Sequence, residues 1–141
     1  MRLSCEKFDI LERLLISSTL SVNEFSHVGL IGGGSGITPL YQVLTHALRD
    51  PHNTTKFTLL FGNVSEKDIL LKEELDRLKK KHPNNFDVVY FVDKSDGSGV
   101  ATEGYITKDT ISKYFNPSLG EKIKLFVCGK SRYLSCIHLP G

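Results

Sequence analysis

The residues of this chain whose types and spacing suit chemistry stand in one run, Gly32-Gly33-Gly34-Ser35-Gly36-Ile37-Thr38-Pro39. Glycines admit positive φ and leave no Cβ between the backbone and an approaching ligand. A glycine run that feeds a helix exposes the first helical N–H groups, and the helix dipole adds partial positive charge there. That combination favours an anion, above all a phosphate. Ser35 and Thr38 add hydroxyl donors at the same place. The spacing departs from the usual dinucleotide fingerprint, G-x-G-x-x-G: Gly34 and Gly36 are in register, while Pro39 replaces the third glycine. Gly129-Lys130-Ser131 ends like a triphosphate-binding loop, but Lys124 stands where that motif needs its first glycine. The same glycines would also make a tight strand-to-helix connection without any ligand, although five consecutive Gly and Ser residues exceed what a turn needs.

Other chemistry finds little support. Cys5, Cys128 and Cys136 are an odd, scattered set, which points to reduced thiols in a reducing compartment rather than a disulfide framework. His27, His46, His52, His82 and His138 have no metal-ligand spacing with the cysteines, so no metal is expected. A net charge of +2 is too small for a nucleic-acid footprint, and Lys79-Lys80-Lys81 reads as the end of a helix. Phe86, Tyr90 and Phe91 read as strand packing rather than a base-stacking platform. No uncharged apolar stretch approaches the length of a membrane span, so no transmembrane segment is expected. Glu6, Lys7, Asp9, Glu12 and Arg13 interrupt any signal-peptide core.

The elements that must position the glycine run are legible around it. With 141 residues, 40% hydrophobic and 24% charged, the chain has room for one globular domain. Short apolar runs at His27–Gly32, Phe57–Gly62, Asp87–Val92 and Ile123–Cys128 fit strands buried on both faces of a parallel sheet. Leu40, Val43, Leu44, Ala47 and Leu48 form one helical face after Pro39, which suits the first turn, and Asp50-Pro51 ends that helix. Ser65-Glu66-Lys67-Asp68 predicts a cap for a helix over Ile69–Lys81, with Leu71, Leu75 and Leu78 as its buried stripe. Ser95–Gly99 predicts a flexible loop, and Thr107 a cap for a short helix carrying Ile111, Tyr114 and Phe115 and closed by Asn116-Pro117. Strand and helix alternate, which predicts an α/β domain with right-handed crossovers and a mainly parallel sheet of four or five strands. The first residues fit less well: Phe8, Leu11, Leu14 and Leu15 suit a helical stripe, and Leu14–Leu20 equally suits a strand.

Three segments together carry a family resemblance: Gly32–Gln42 (GGGSGITPLYQ), Phe61–Leu71 (FGNVSEKDILL) and Leu125–Gly129 (LFVCG). They resemble the nicotinamide-binding half of NADH–cytochrome-b5 reductases, within the ferredoxin-reductase-like flavoenzyme superfamily. The resemblance runs from about Asn23 to Gly129, with the motifs in the family's order and each at the end of a predicted strand. It implies a Rossmann-like three-layer α/β domain that binds NADH across the carboxyl edge of its sheet. The pyrophosphate would rest on Gly33, Gly34, Ser35, Gly36, Ile37 and Thr38 beside Pro39, with Asn63 and Asp68 towards the adenosine ribose. Asp68 takes the position associated with preferring NADH, since a carboxylate accepts from a ribose hydroxyl and repels a 2′-phosphate; capping with Ser65 is its other reading. Cys128, with Gly129, would shape the stacking of nicotinamide against flavin and is not expected to act as a nucleophile; a small buried residue at a strand end is the plainer reading.

The resemblance implies an oxidoreductase in which NADH passes hydride to FAD, and the flavin passes electrons singly to a haem protein. Two departures qualify this expectation. The family places a flavin-binding barrel before this domain, and too few residues precede the matching region to build one, so FAD is expected only with a separate domain or subunit. After Gly129 the family's prolines, C-terminal helix and final strand are not recognisable, so that helix and strand are expected to be truncated, the nicotinamide side opened and the edge of the fourth strand left less covered. The chain is therefore divided into residues 1–22 of uncertain structure, an NAD-binding oxidoreductase domain at 23–129 and a divergent tail at 130–141. A non-catalytic nucleotide-binding or interaction fragment is the alternative. The family resemblance places the chain in the cytoplasm or on the cytosolic face of a membrane.

Overall fold

The computed structural model describes residues 4–7, 26–115 and 123–129. Its strands are β1 (Ser4–Lys7), β2 (His27–Gly33), β3 (Lys56–Asn63), β4 (Phe86–Val92), β5 (Thr102–Glu103) and β6 (Ile123–Gly129). Helices α1 (Ile37–Leu48), α2 (Lys72–Lys81) and α3 (Lys108–Tyr114) alternate with them, and short 3-10 turns occupy Gly34–Gly36 and Glu66–Asp68. All pairings are parallel, in the order β1-β6-β2-β3-β4-β5. The chain steps outward from β2 through β3 and β4 to β5, then returns to place β6 on the opposite side of β2. The order therefore reverses between β2 and β6.

The central strands are apolar on both faces because both faces are covered. Strand alternation sends Val28, Leu30, Phe57, Leu59, Phe61, Phe86, Val88, Tyr90 and Phe126 to one face, where they pack with Ile37, Leu40, Val43 and Leu44 of α1 and its entry and with Leu75 of α2. Ile31, Leu60, Phe91, Leu125 and Val127 face the other way and pack with Ile111 and Phe115 at α3. Each fully buried Leu or Phe side chain contributes about 1.5–3 kcal/mol, so these two layers carry the fold. Gly29 is required by close packing: a Cβ there would lie 2.4 Å from Leu125 and 2.7 Å from the Phe115 ring. Among the described residues no helix is long and apolar enough to cross a membrane.

Several expectations are corrected. Among the described residues the sheet already has six strands, where four or five were expected. Ser4–Lys7 pairs with β6, Ser4 opposite Lys124 and Lys7 opposite Val127, so the β6 edge expected to be less covered is occupied. The helix expected from Ile69 begins at Lys72. Ser65 makes no side-chain cap. Leu71 adopts φ +58, a left-handed conformation that breaks the helical path just before α2. Of the expected stripe, Leu75 is buried, whereas Leu71 and Leu78 are half-buried against the core. Thr107 does cap α3, in a reciprocal box with Thr110. The stripe and strand read into Phe8–Leu20, and the Asn116-Pro117 stop, lie outside the described residues.

Candidate functional site

Parallel strands end together, so every β-to-α loop emerges on one edge of the sheet. Register brings the expected site segments to that edge. Gly33 at the end of β2 pairs with Gly62 on one side and Gly129 on the other, while Gly32 pairs with Cys128. The glycine run and Cys128-Gly129 therefore meet where the strand order reverses, the place at which open α/β sheets take their ligands.

The glycine run leaves β2 through Gly34, at φ +56, and makes one 3-10 turn before α1 starts at Ile37. Gly36 stands at the N-cap with no side-chain hydrogen bond, and no acidic residue occupies the first turn. The early N–H groups of α1 thus receive no cap from the N-cap residue and no carboxylate from the helix's own first turn, a condition that suits an anion. Ile37 is buried and pins the helix entry to the core, Thr38 is exposed, and Pro39 is half-buried.

Asn63, the last residue of β3, is 2% exposed. Its backbone carbonyl accepts from the Asp93 N–H at 3.2 Å, but its Nδ2 has no hydrogen-bond partner among the described residues. Strand alternation places Asn63 on the α1 side of the sheet, with Phe57, Leu59 and Phe61. A buried, unpaired amide donor beside a glycine turn with uncapped N–H groups fits a polar, anionic ligand such as a dinucleotide.

Beyond Asn63 the chain bends through the Glu66–Asp68 turn. Asp68 is exposed, its N–H donates to the Ser65 carbonyl at 3.0 Å, and the Ser65 hydroxyl donates to its carboxylate at 2.8 Å. The capping role suggested for Ser65 and Asp68 is replaced by this direct contact between their side chains. The residue that sequence reasoning missed is Glu66. Its carboxylate accepts from the Ser95 hydroxyl at 2.9 Å and from the Asp96 N–H at 3.2 Å. The Ser95 N–H in turn donates to Glu103 at 2.9 Å, so the Ser95–Gly99 loop, read as flexible, is tied to its neighbours. A lone glutamate in a polar turn carries no sequence signal for a bond across about thirty residues.

A second polar cluster lies between α2 and β4. Tyr90 donates to Asp76 at 2.7 Å, and Lys72 pairs with the other Asp76 oxygen at 2.6 Å. Burial pushes the Asp76 carboxyl up, but the bonds from Lys72 and Tyr90 outweigh it and hold the group below its ordinary value. Burial, with the Asp76 carboxylate beside it, pushes the Tyr90 hydroxyl far above the usual tyrosine range. This cluster clamps α2 to the sheet. Among the described residues no group of histidine, cysteine and carboxylate side chains could hold a metal ion.

Comparison with known proteins agrees with this geometry. The sequence profile of the oxidoreductase NAD-binding domain matches residues 30–138. NADH-cytochrome b5 reductase 2 of Kluyveromyces lactis is 42% identical over 118 residues, which cover 84% of this chain and 40% of that protein. The protein of the same name from Mycosarcoma maydis is 45% identical over 108 residues, covering 76% of this chain and 31% of its own length. The chain thus spans well under half the length of these relatives. Among solved structures, the cytochrome b5 reductase domain of Ulva prolifera nitrate reductase superposes with a TM-score of 0.72 at 31% identity, over 82% of this chain and 44% of that one. The CS-b5R domains of human Ncb5or, in the NAD+ form, superpose at 0.70 over 92% of this chain and 34% of theirs; at 23% identity they show the shared fold.

Proposed function

The chain belongs to the oxidoreductase NAD-binding domain family, and on that premise we propose that it is the NADH-binding module of a cytochrome-b5-reductase-like oxidoreductase. The observation that carries the proposal is the meeting of the glycine turn with Cys128-Gly129 at the reversal of strand order. In this reading the backbone of Gly33–Thr38, opened by positive φ at Gly34, receives the pyrophosphate, and Pro39 fixes the first turn of α1. Asn63 supplies a buried donor, and Asp68 meets the adenosine ribose at the far side of β3. Cys128 and Gly129 bound the nicotinamide end.

Bound NADH would supply a hydride for a flavin on a neighbouring domain or subunit, and such a flavin would in turn serve a haem protein one electron at a time. The chain's own contribution is orientation and exclusion of competing geometries. Cys128 positions the ring and takes no covalent part.

The test is transfer in trans. The chain is mixed with NADH and the isolated flavin domain of a cytochrome b5 reductase, and bleaching of the flavin's visible absorbance is followed. Bleaching faster than the flavin domain achieves with NADH alone is expected. A chain that binds NADH yet leaves that rate unchanged would overturn the electron-transfer part of the proposal and favour a nucleotide-binding module without catalysis.

A further inference from the structure

In the NADH-binding reading, Asp68 selects against a 2′-phosphate only if its turn is held in place relative to the sheet. Asp68 and Lys67 are exposed, and Ile69 is the buried side chain that follows them. Ser65 restrains the Asp68 carboxylate locally, at 2.8 Å, but moves with the same turn. Ile69 seats the end of the turn in the core, and Glu66 is the side chain that ties the turn to the loop after β4.

We propose that Glu66 is the positioning residue for nucleotide selection: it ties the Asp68 turn to the loop after β4 and so fixes where Asp68 meets the ribose 2′ position. The proposal rests on the NADH-binding reading and deepens it. Both Glu66 carboxylate oxygens accept from the Asp96 N–H at 3.2 Å, and Oε1 also accepts from the Ser95 hydroxyl at 2.9 Å. Ser95 is itself held: its N–H donates to Glu103 Oε2 at 2.9 Å, and its Oγ accepts from the Gly97 N–H at 3.1 Å. Glu103 belongs to β5, which pairs with the end of β4 through Val92. A continuous chain of bonds therefore runs from the sheet edge through Glu103, Ser95 and Glu66 to the turn carrying Asp68. Several bonds converging on one carboxylate restrict it more than any single contact, and hydrogen bonds to an ionised acceptor are the stronger kind. Cutting the chain at Glu66 frees the turn, and Asp68 then spends less time opposite a ribose hydroxyl or an incoming 2′-phosphate.

The experiment titrates the full chain with NADH and with NADPH by reduced-nicotinamide fluorescence, with far-UV circular dichroism on every variant. Glu66→Ala should lower the NADH:NADPH affinity ratio by about three- to tenfold, the effect of losing one or two modest hydrogen bonds. Glu66→Gln, which retains an accepting oxygen, should recover part of the ratio. Ser95→Ala should shift it the same way by a smaller factor and decides the matter if Glu66→Ala fails to fold. In an Asp68→Ala background, adding Glu66→Ala should leave the ratio where Asp68→Ala alone puts it. Equal loss of affinity for both nucleotides would overturn the proposal, because the loop would then matter only for general integrity. A ratio change that persists without Asp68 would also overturn it, because Glu66 would be repelling the 2′-phosphate through space. Failure of the parent chain to bind either nucleotide would refute the NADH-binding reading itself, a result distinct from both.

Discussion

Replacing Asn63 by leucine should separate binding from stability. Asn63 is 2% exposed, and its Nδ2 is buried without a hydrogen-bond partner among the described residues. A buried donor left unsatisfied costs about 1–3 kcal/mol. Leucine has a similar outline and removes that donor, while its different branching invites strain of about 1–3 kcal/mol in a tight site. The two effects oppose each other, so the unliganded variant should remain within about 1 kcal/mol of the parent, or about 4 °C in Tm. Binding should respond differently. Loss of one well-placed donor to a dinucleotide weakens NADH about tenfold, which corresponds to about 1.4 kcal/mol. At a concentration one hundred times the parent's Kd, NADH should stabilise the parent by about 2.7 kcal/mol and the variant by only about 1.4 kcal/mol. Thermal and urea melts with and without nucleotide measure both quantities on the same samples. If the unliganded variant loses more than about 2 kcal/mol, the amide is a structural hydrogen-bonding group and the reasoning fails. If the NADH-induced shift is unchanged, Asn63 does not meet the ligand.

Asp68→Ala should raise NADPH affinity relative to NADH by about tenfold, because a carboxylate no longer opposes the 2′-phosphate; parallel titrations check it, and an unchanged ratio would move the discriminator elsewhere. Gly29→Ala should destabilise the domain by about 1–3 kcal/mol, since its Cβ would press on Leu125 and Phe115 at 2.4–2.8 Å; an unchanged urea midpoint would show that those side chains move aside freely. The Asp76 carboxyl is held below its ordinary 3.8, so the stability that it contributes is complete above that pH and is lost as pH falls through the lower folded value. The Lys72–Asp76 pair is about one-third exposed, which limits it to about 0.5 kcal/mol. Urea midpoints of parent and Asp76→Asn should therefore differ near neutrality and converge in strong acid. Tyr90 has the opposite sign: its folded value is raised, so stability should fall as pH passes the unfolded tyrosine value of about 10, and Tyr90→Phe should flatten that alkaline limb.

The parts of this fold legible in the sequence are those governed by burial period and glycine chemistry. The four central strands announced themselves because Leu59, Leu60 and Phe61, or Leu125, Phe126 and Val127, are consecutive apolar residues with no solvent-facing side. The glycine run and Cys128 were recognisable one by one, and only register shows that Gly32 and Cys128 are paired neighbours. The missed pieces have little apolar signal. Ser4–Lys7 joins the sheet edge by backbone pairing to β6, and Thr102–Glu103 is a two-residue strand exposed on both side chains. The sequence points to too early a start for α2 because Ser65, Glu66 and Asp68 offer good capping chemistry, while the structure uses those side chains in contacts with one another and with Ser95, and Leu71 turns left-handed instead. Asn63 and Glu66 differ in the same way. The first was visible through a motif, whereas the second acts through partners some thirty residues distant.

The function of this domain turns on whether the glycine turn at the β2–β6 reversal receives a dinucleotide. The direct measurement is an equilibrium titration of the folded chain with NADH and NADPH, followed by reduced-nicotinamide fluorescence, which no tryptophan of this chain can obscure. Saturable binding that prefers NADH, competed by ADP-ribose, is the expected result. A cooperatively folded chain that shows no saturation with either nucleotide would contradict the central claim.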